Sequence, residues 1–243
     1  MGMIDLHNHL LPGIDDGAED VDTSIELARI AVADGITHLV CTPHIHAGRY
    51  DNTPHTIQAA FKQFQQALEA EQIGLKVAYA AEVRFGLELM EWAAMNALPF
   101  LGEWQGKQVL LLEFPHGEVP FGAEKLTSWL IGRNILPIIA HPERNKAIMK
   151  SRSKLKPFLD QGCLLQVTAS SVAGHFGETA QDIAIELLQE NKVTILATDA
   201  HNTRHRPPRL KEGVRAAADV IGEKKAAELV TINPWTLAQV HFS

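Results

Sequence analysis

A chain of 243 residues with 46% hydrophobic and 21% charged side chains lies in the ordinary globular range, and α/β barrels routinely close as one domain at about this length. A net charge of −7 without any dense Lys/Arg block argues against nucleic acid as a partner, and two cysteines far from any CxxC spacing argue against a disulfide framework or a thiolate zinc site. No apolar run approaches the ~20 residues of a membrane span and no signal-peptide core opens the chain, so a cytoplasmic protein without membrane insertion is expected.

Met1-Gly2 reads as an addition ahead of a natural start at Met3. From there, Met3 to Leu6 is the first of seven short apolar runs that read as strands. The chain then alternates: helix Val21 to Ala33, strand Thr37 to Cys41, helix Thr53 to Glu71, strand Lys76 to Ala81, helix Gly86 to Met95, strand Val109 to Leu112 and helix Ala123 to Arg133. Strand Ile135 to Ala140, helix Ser153 to Gln161, strand Leu164 to Thr168, helix Thr179 to Glu190 and strand Val193 to Ala197 continue the series, with two more helices after Pro208. Gly35, Gly74 and Gly162 fall where helices should stop, and Asp20, Thr53 and Ser153 where they should start. Seven consecutive βα units with short connections favour a closed parallel barrel over an open sheet, as a single domain across residues 1–243.

In such a barrel the loops after the strands share one face, and that face carries the chemistry. The first strand is followed by His7-Asn8-His9 and then Asp15-Asp16, the second by His44, the third by Glu82 and the fourth by Glu113. The fifth is followed by His141-Pro142-Glu143-Arg144 and the seventh by Asp199-Ala200-His201, while the sixth, ending QVTAS, offers no strong ligand. A lone HxH is cheap in a chain with 12 histidines, and a second one occurs at His44 and His46. Ligand-type residues after six of seven strands are not explained by scattered surface polarity, because they all meet on the one face where side chains can converge. Five histidines and four carboxylates without thiolate suit manganese, iron or zinc and are about right for three divalent ions sharing a bridging carboxylate. The six positive charges of three such ions exceed the four negative ones of Asp16, Glu82, Glu113 and Asp199, so the cluster would attract an anion. Arg144 and Arg206 add fork-shaped donors suited to phosphate oxygens.

The ordered set MIDLHNH, DDG, TPH, AYAAE, LLLEF, IIAHPER and TDAHN…RPP runs through nearly the whole chain and resembles the polymerase and histidinol phosphatase (PHP) superfamily, in particular its CpsB/CapC branch of capsule and exopolysaccharide tyrosine phosphatases. The resemblance implies a distorted seven-stranded (β/α)7 TIM-like barrel, the PHP fold, with a trinuclear centre, Mn²⁺ before Fe or Zn. It assigns His7, His9, Glu82 and Asp199 to a first ion. Glu82 bridges to a second held also by Glu113 and His141, and Asp16, His44 and His201 hold a third, with Asp15 passed over. It gives Arg144 and Arg206 to phosphate binding. The implied reaction is hydrolysis of phosphotyrosine by a metal-activated hydroxide without a covalent intermediate. The implied partner is a tyrosine-phosphorylated bacterial autokinase of polysaccharide export.

The alternatives are a histidinol-phosphate or other small phosphomonoester phosphatase, a PHP nuclease disfavoured by the acidic charge, an amidohydrolase, and a metal-bound phosphotyrosine-binding regulator without turnover. A cysteine mechanism needs a thiolate closely followed by arginine, which neither Cys41 nor Cys163 has. His46 reads as an exposed loop residue before a general acid, and Arg204 as able to share the role of Arg206. His116, His175 and His205 read as rim residues, and Tyr50, Phe114, Phe121 and Phe176 as packing residues that could wall an aromatic substrate.

Overall fold

The computed structural model describes residues 2–242, so Met1 of the Met1-Gly2 addition lies outside them. Ten strands form: β1 (Met3–Asp5), β2 (Ile36–Cys41), β3 (His44–Ile45), β4 (Lys76–Tyr79), β5 (Glu82–Arg84), β6 (Gly102–Trp104), β7 (Lys107–Glu113), β8 (Ile135–Ala140), β9 (Leu164–Thr168) and β10 (Ile195–Ala197). Parallel pairing runs β1-β2-β4 in one sheet and β10-β9-β8-β7-β5-β3 in another. The two sheets are one interrupted wall. Ala80 N–H donates to Cys41 O at 2.8 Å and Glu82 N–H to Pro43 O at 3.1 Å, so β3 extends β2 and β5 extends β4 across short breaks. Counted that way there are seven parallel staves among the described residues, matching the seven expected strands. The ring closes where Asn8 bridges Ala200 in parallel and Asp199 N–H donates to His7 O at 2.7 Å.

Two breaks fall where ligand residues begin. Pro43 cannot donate to a ladder, and the interruption before it turns His44 toward the mouth of the barrel rather than its wall. β6 was not among the expected strands. It folds back antiparallel onto β7 through the two-residue turn Gln105-Gly106, whose φ values of 51° and 77° are of the kind that tight hairpins require.

Helix Val21–Ala33 has the expected bounds, and Asp20 caps it by accepting from Thr23 N–H at 2.8 Å. Helix Pro54–Ala70 starts from a Thr53–Thr56 capping box with Pro54 at its first position. Other expectations need correction. Gly74 does not stop that helix, which ends at Ala70 with Gln72 taking the left-handed conformation. Ser153 is no N-cap, because it lies inside a 3₁₀ turn (Arg152–Leu155) that precedes the short helix Lys156–Asp160, where Pro157 occupies the first turn. Three helices, Lys211–Ile221, Glu223–Glu228 and Ile232–Ala238, follow Pro208 instead of two, because Gly222 at φ 84° breaks the first from the second.

The barrel interior is filled by Ile4, Leu6, Val40, Leu111, Ile138 and Ile195, and closed at the end away from the ligand loops by Leu101, Leu237 and Ala238. A larger apolar layer, including Phe64, Leu110 and Phe158, packs the helices onto the outside of the staves. Truncating a fully buried phenylalanine of this kind costs about 3–5 kcal/mol. The ligand loops are therefore carried on a stiff wall. No helix among the described residues is long and apolar enough to cross a membrane.

Candidate metal centre

The HNH loop is positioned by a buried network at the barrel seam. The Asp5 carboxylate accepts from Thr198 Oγ1 at 2.6 Å, Thr198 N–H at 2.9 Å and Asn8 Nδ2 at 3.3 Å. Asn8 Nδ2 also donates to Val40 O, and Asn8 N–H to Thr42 Oγ1, so first, second and last staves are tied together beneath His7 and His9. With Asn8 pointing down into the seam, the flanking histidines point up. Gly17 is required by the turn that follows, because a Cβ there would lie 2.0 Å from His9 O.

Three imidazole nitrogens converge on one carboxylate oxygen. His44 Nδ1, His7 Nε2 and His9 Nε2 lie 3.1, 3.2 and 3.4 Å from Glu82 Oε2. All four atoms are buried and none makes a hydrogen bond within the described residues. Burying such groups unpaired costs about 1–3 kcal/mol each, and ligand atoms about 2.1 Å from a common ion stand roughly 3.0–3.4 Å from one another. The donor set therefore fits metal ions. His7 Nε2 and His9 Nε2 also lie 3.3 and 3.4 Å from Asp199 Oδ1. His141 Nε2 is 2.8 Å from Glu82 Oε1 and 3.9 Å from Glu113 Oε1. Asp16 Oδ1 is 3.4 Å from His44 Nε2 and 3.6 Å from His201 Nε2. Four ligand-like groups result: His9, Asp16, His44 and His201; His7, His9 and Glu82; His7, His141 and Asp199; and His44, Glu82 and Glu113. Asp16 is 42% exposed, so that corner opens to solvent, whereas Glu82 and Asp199 lie on the floor.

All nine expected ligands thus meet on one face, with His7, His9, His44 and Glu82 each reaching into two groups. Both arginines are there too, as Arg144 and Arg206 each donate Nη2 to Asp199 Oδ2. Arg204 is not beside them, and its backbone N–H joins Asn202 Oδ1 at 3.2 Å. His46 and His116 line the cavity, but His175 pairs with Glu212 at 3.0 Å and lies with His205 in a separate pocket. Of the aromatics, Tyr50 and Phe176 face the cavity, Phe114 packs on Phe158 at 4.9 Å in the core, and Phe121 is fully exposed.

Burial penalises every charge here, and the neighbours decide the outcome. Burial opposes protonation of His7 and His9, yet Glu82 and Asp199 lift the first imidazole above its ordinary value and Asp15 lifts the second well above it. Against the same burial, His7 and His44 hold Glu82 well below the usual carboxylate range, and Arg144 and Arg206 do so for Asp199. Burial takes His141 and His201 down to about 4, helped by Arg144 and His9 respectively.

Three supporting residues escape a reading by ligand type alone. Gln166, on the stave expected to contribute nothing, bonds His7 Nδ1 at 2.8 Å and accepts from His141 N–H at 3.1 Å, fixing two ligands with one amide oxygen. Asp15, passed over in favour of Asp16, sits 2.7 Å from His9 Nδ1 and accepts from His44 N–H at 3.0 Å. Arg84 donates to Glu113 Oε2 at 2.7 Å. Second-layer partners of this kind orient metal ligands. Gln166→Ala is expected to weaken metal affinity about 10- to 100-fold with the circular-dichroism spectrum unchanged, as read by metal titration; unaltered affinity would reduce Gln166 to packing.

His141 and Asp199 hold left-handed backbone, at φ 33° and 51°, which non-glycine residues seldom adopt. Above the floor opens a cavity of about 510 Å³, walled by Tyr50 and Phe176; Tyr50 stacks on His44 at 5.4 Å, and the guanidinium of Arg144 lies 4.6 Å from the Phe176 ring.

The family model for capsular polysaccharide synthesis, CpsB/CapC, matches residues 3–239. The chain is 38% identical to the tyrosine-protein phosphatase YwqE of Bacillus subtilis over 84% of its length and 79% of that protein. It is 28% identical to the tyrosine-protein phosphatase CpsB of Streptococcus pneumoniae over 96% of both chains. A chain from the crystal structures of YwqE and CpsB, described as unique metal-dependent tyrosine phosphatases, superposes with a TM-score of 0.90 at 35% identity, covering 98% of this chain and 94% of that one.

Proposed function

The chain belongs to the CpsB/CapC family of capsular polysaccharide synthesis, and from that premise we propose that it is a metal-dependent protein tyrosine phosphatase acting as a single domain. The observation that carries this reading is the convergence of three histidine nitrogens on Glu82 Oε2 beneath a cavity walled by aromatic rings and arginines.

In this reading the floor would take three divalent ions, with manganese preferred to iron or zinc. His7, His9, Glu82 and Asp199 would hold one, Glu82, Glu113 and His141 the second, and Asp16, His44 and His201 the third. Bound ions supply Lewis-acid charge and a water acidified toward a pKa of about 7. Arg144 and Arg206 bind the phosphoryl oxygens, and Tyr50 and Phe176 bracket the phenyl ring. A phenol of pKa about 10 leaves without a dedicated acid more readily than an alcohol, which gives phosphotyrosine its advantage. His46 is poorly suited to donate a proton, since burial and then Arg84 lower its pKa. The protein partner is a tyrosine-phosphorylated autokinase of polysaccharide export, met in the cytoplasm.

Neither thiol serves as nucleophile. Cys41 is buried in the barrel wall, where burial raises its pKa well above 9, and Cys163 is pushed up to about 12. Cys41→Ser is expected to keep most activity if it folds, and a folded but inactive variant would reopen the thiolate route.

Initial rates with Mn²⁺ on a phosphotyrosine peptide, a phosphoserine peptide and histidinol phosphate test the proposal. Preference for the tyrosine peptide is expected. Preference for histidinol phosphate would retain the metal chemistry and overturn the substrate.

A further inference from the structure

The chain carries a net charge of −7, yet basic side chains crowd its cavity. Arg49, His46, Arg84, His116, Lys146 and Arg144 all line it. Burial first, and then Lys146, Arg144 and Arg84, depress protonation of His116, and no carboxylate contributes. Among the described residues, neither Lys146 nor Arg49 has a carboxylate within 4.0 Å, whereas Arg84 pairs with Glu113, and Arg144 and Arg206 pair with Asp199. Crowding like charges costs free energy that an arriving anion recovers.

Lys146 and His116 are also held in place. Asn145 Oδ1 accepts from Ala147 N–H and Ile148 N–H at 2.9 and 3.1 Å, while its Nδ2 donates to Pro115 O and Glu118 O, both at 2.8 Å. Lys146 N–H donates to His116 O at 2.9 Å. One asparagine thus locks the loop after β7 to the segment after β8, so the two basic side chains line the cavity from a braced rim next to Arg144.

We propose that Lys146 and His116 form a second anion subsite that receives an additional negative group of the phosphopeptide, either an acidic side chain or a second phosphotyrosine, beside the phosphotyrosine being hydrolysed. This rests on the phosphotyrosine reading and adds a preference for substrates carrying more than one negative group. The subsite acts on binding, so it lowers KM and leaves kcat nearly alone.

The test compares kcat/KM for three peptides of equal length: one phosphotyrosine with neutral flanks, the same with flanking glutamates, and the same with a second phosphotyrosine. Wild-type protein and Lys146→Glu are measured side by side with Mn²⁺. In the wild type, at least one anionic peptide should exceed the neutral one about fivefold through KM, the size of one partly exposed charge interaction. Lys146→Glu should abolish or invert that preference. A gain confined to the second phosphotyrosine assigns the subsite to a phosphate dianion, and a gain with both assigns it to anionic groups in general. Equal kcat/KM across the three peptides, or a preference that persists in Lys146→Glu, overturns the subsite while leaving the phosphatase intact. No turnover of any of the three peptides overturns the phosphotyrosine reading and the subsite with it.

Discussion

Stripping the metal, or replacing His7 by alanine, is expected to lower kcat/KM on phosphotyrosine substrates by at least about 10³-fold, the scale of several kcal/mol of lost charge stabilisation. His7 Nε2 sits between Glu82 Oε2 and Asp199 Oδ1, at 3.2 and 3.3 Å, with its second nitrogen anchored on Gln166, so its loss removes a donor aimed at both floor carboxylates. The two perturbations differ in their repair. Added Mn²⁺ should restore chelated wild type and leave His7→Ala inactive, with metal analysis reporting a substoichiometric site in the variant. Activity that survives thorough chelation would remove the metal from the reaction altogether.

Arg144→Ala is expected to cost about 10²- to 10³-fold in kcat/KM, as does losing one preorganised donor to a developing oxyanion. The expectation follows from its place: half-buried, over the Phe176 ring, and hydrogen-bonded to Asp199 Oδ2 together with Arg206. A guanidinium resting on a floor carboxylate beneath the cavity is placed to donate to phosphoryl oxygens as well. Metal content should therefore stay near wild type in Arg144→Ala. If metal is lost instead, Arg144 supports the cluster structurally and the phosphate falls to Arg206. Arg144→Lys should rescue poorly, because an ammonium cannot make the paired donation of the fork.

The fold was legible because each parallel stave is a short apolar run closed by a polar residue, and seven such runs in succession leave little choice of architecture. Helix starts with a side-chain cap, Asp20 and Thr53, were readable to within a residue, while Ser153 misled because the same side chain that caps helices also suits a 3₁₀ turn. β6 was invisible because three residues opening on a glycine carry no alternating pattern. Among site residues, ligand types announced themselves by chemistry and position. Gln166 did not, since a neutral amide in an apolar strand is indistinguishable from one facing solvent until the barrel curls it under His7. The choice of Asp16 over Asp15 could not have revealed that the rejected neighbour orients His9 and His44. Adjacent carboxylates in a turn point to opposite sides, so both can serve one site.

The left-handed backbone at His141 and Asp199 sets a limit on how stable this protein can become. Glycine at either position would relieve about 1 kcal/mol of strain and would delete a side chain from the floor. A screen for heat-resistant variants should therefore return to these two positions and find each survivor inert, the trade between robustness and activity written into two φ angles.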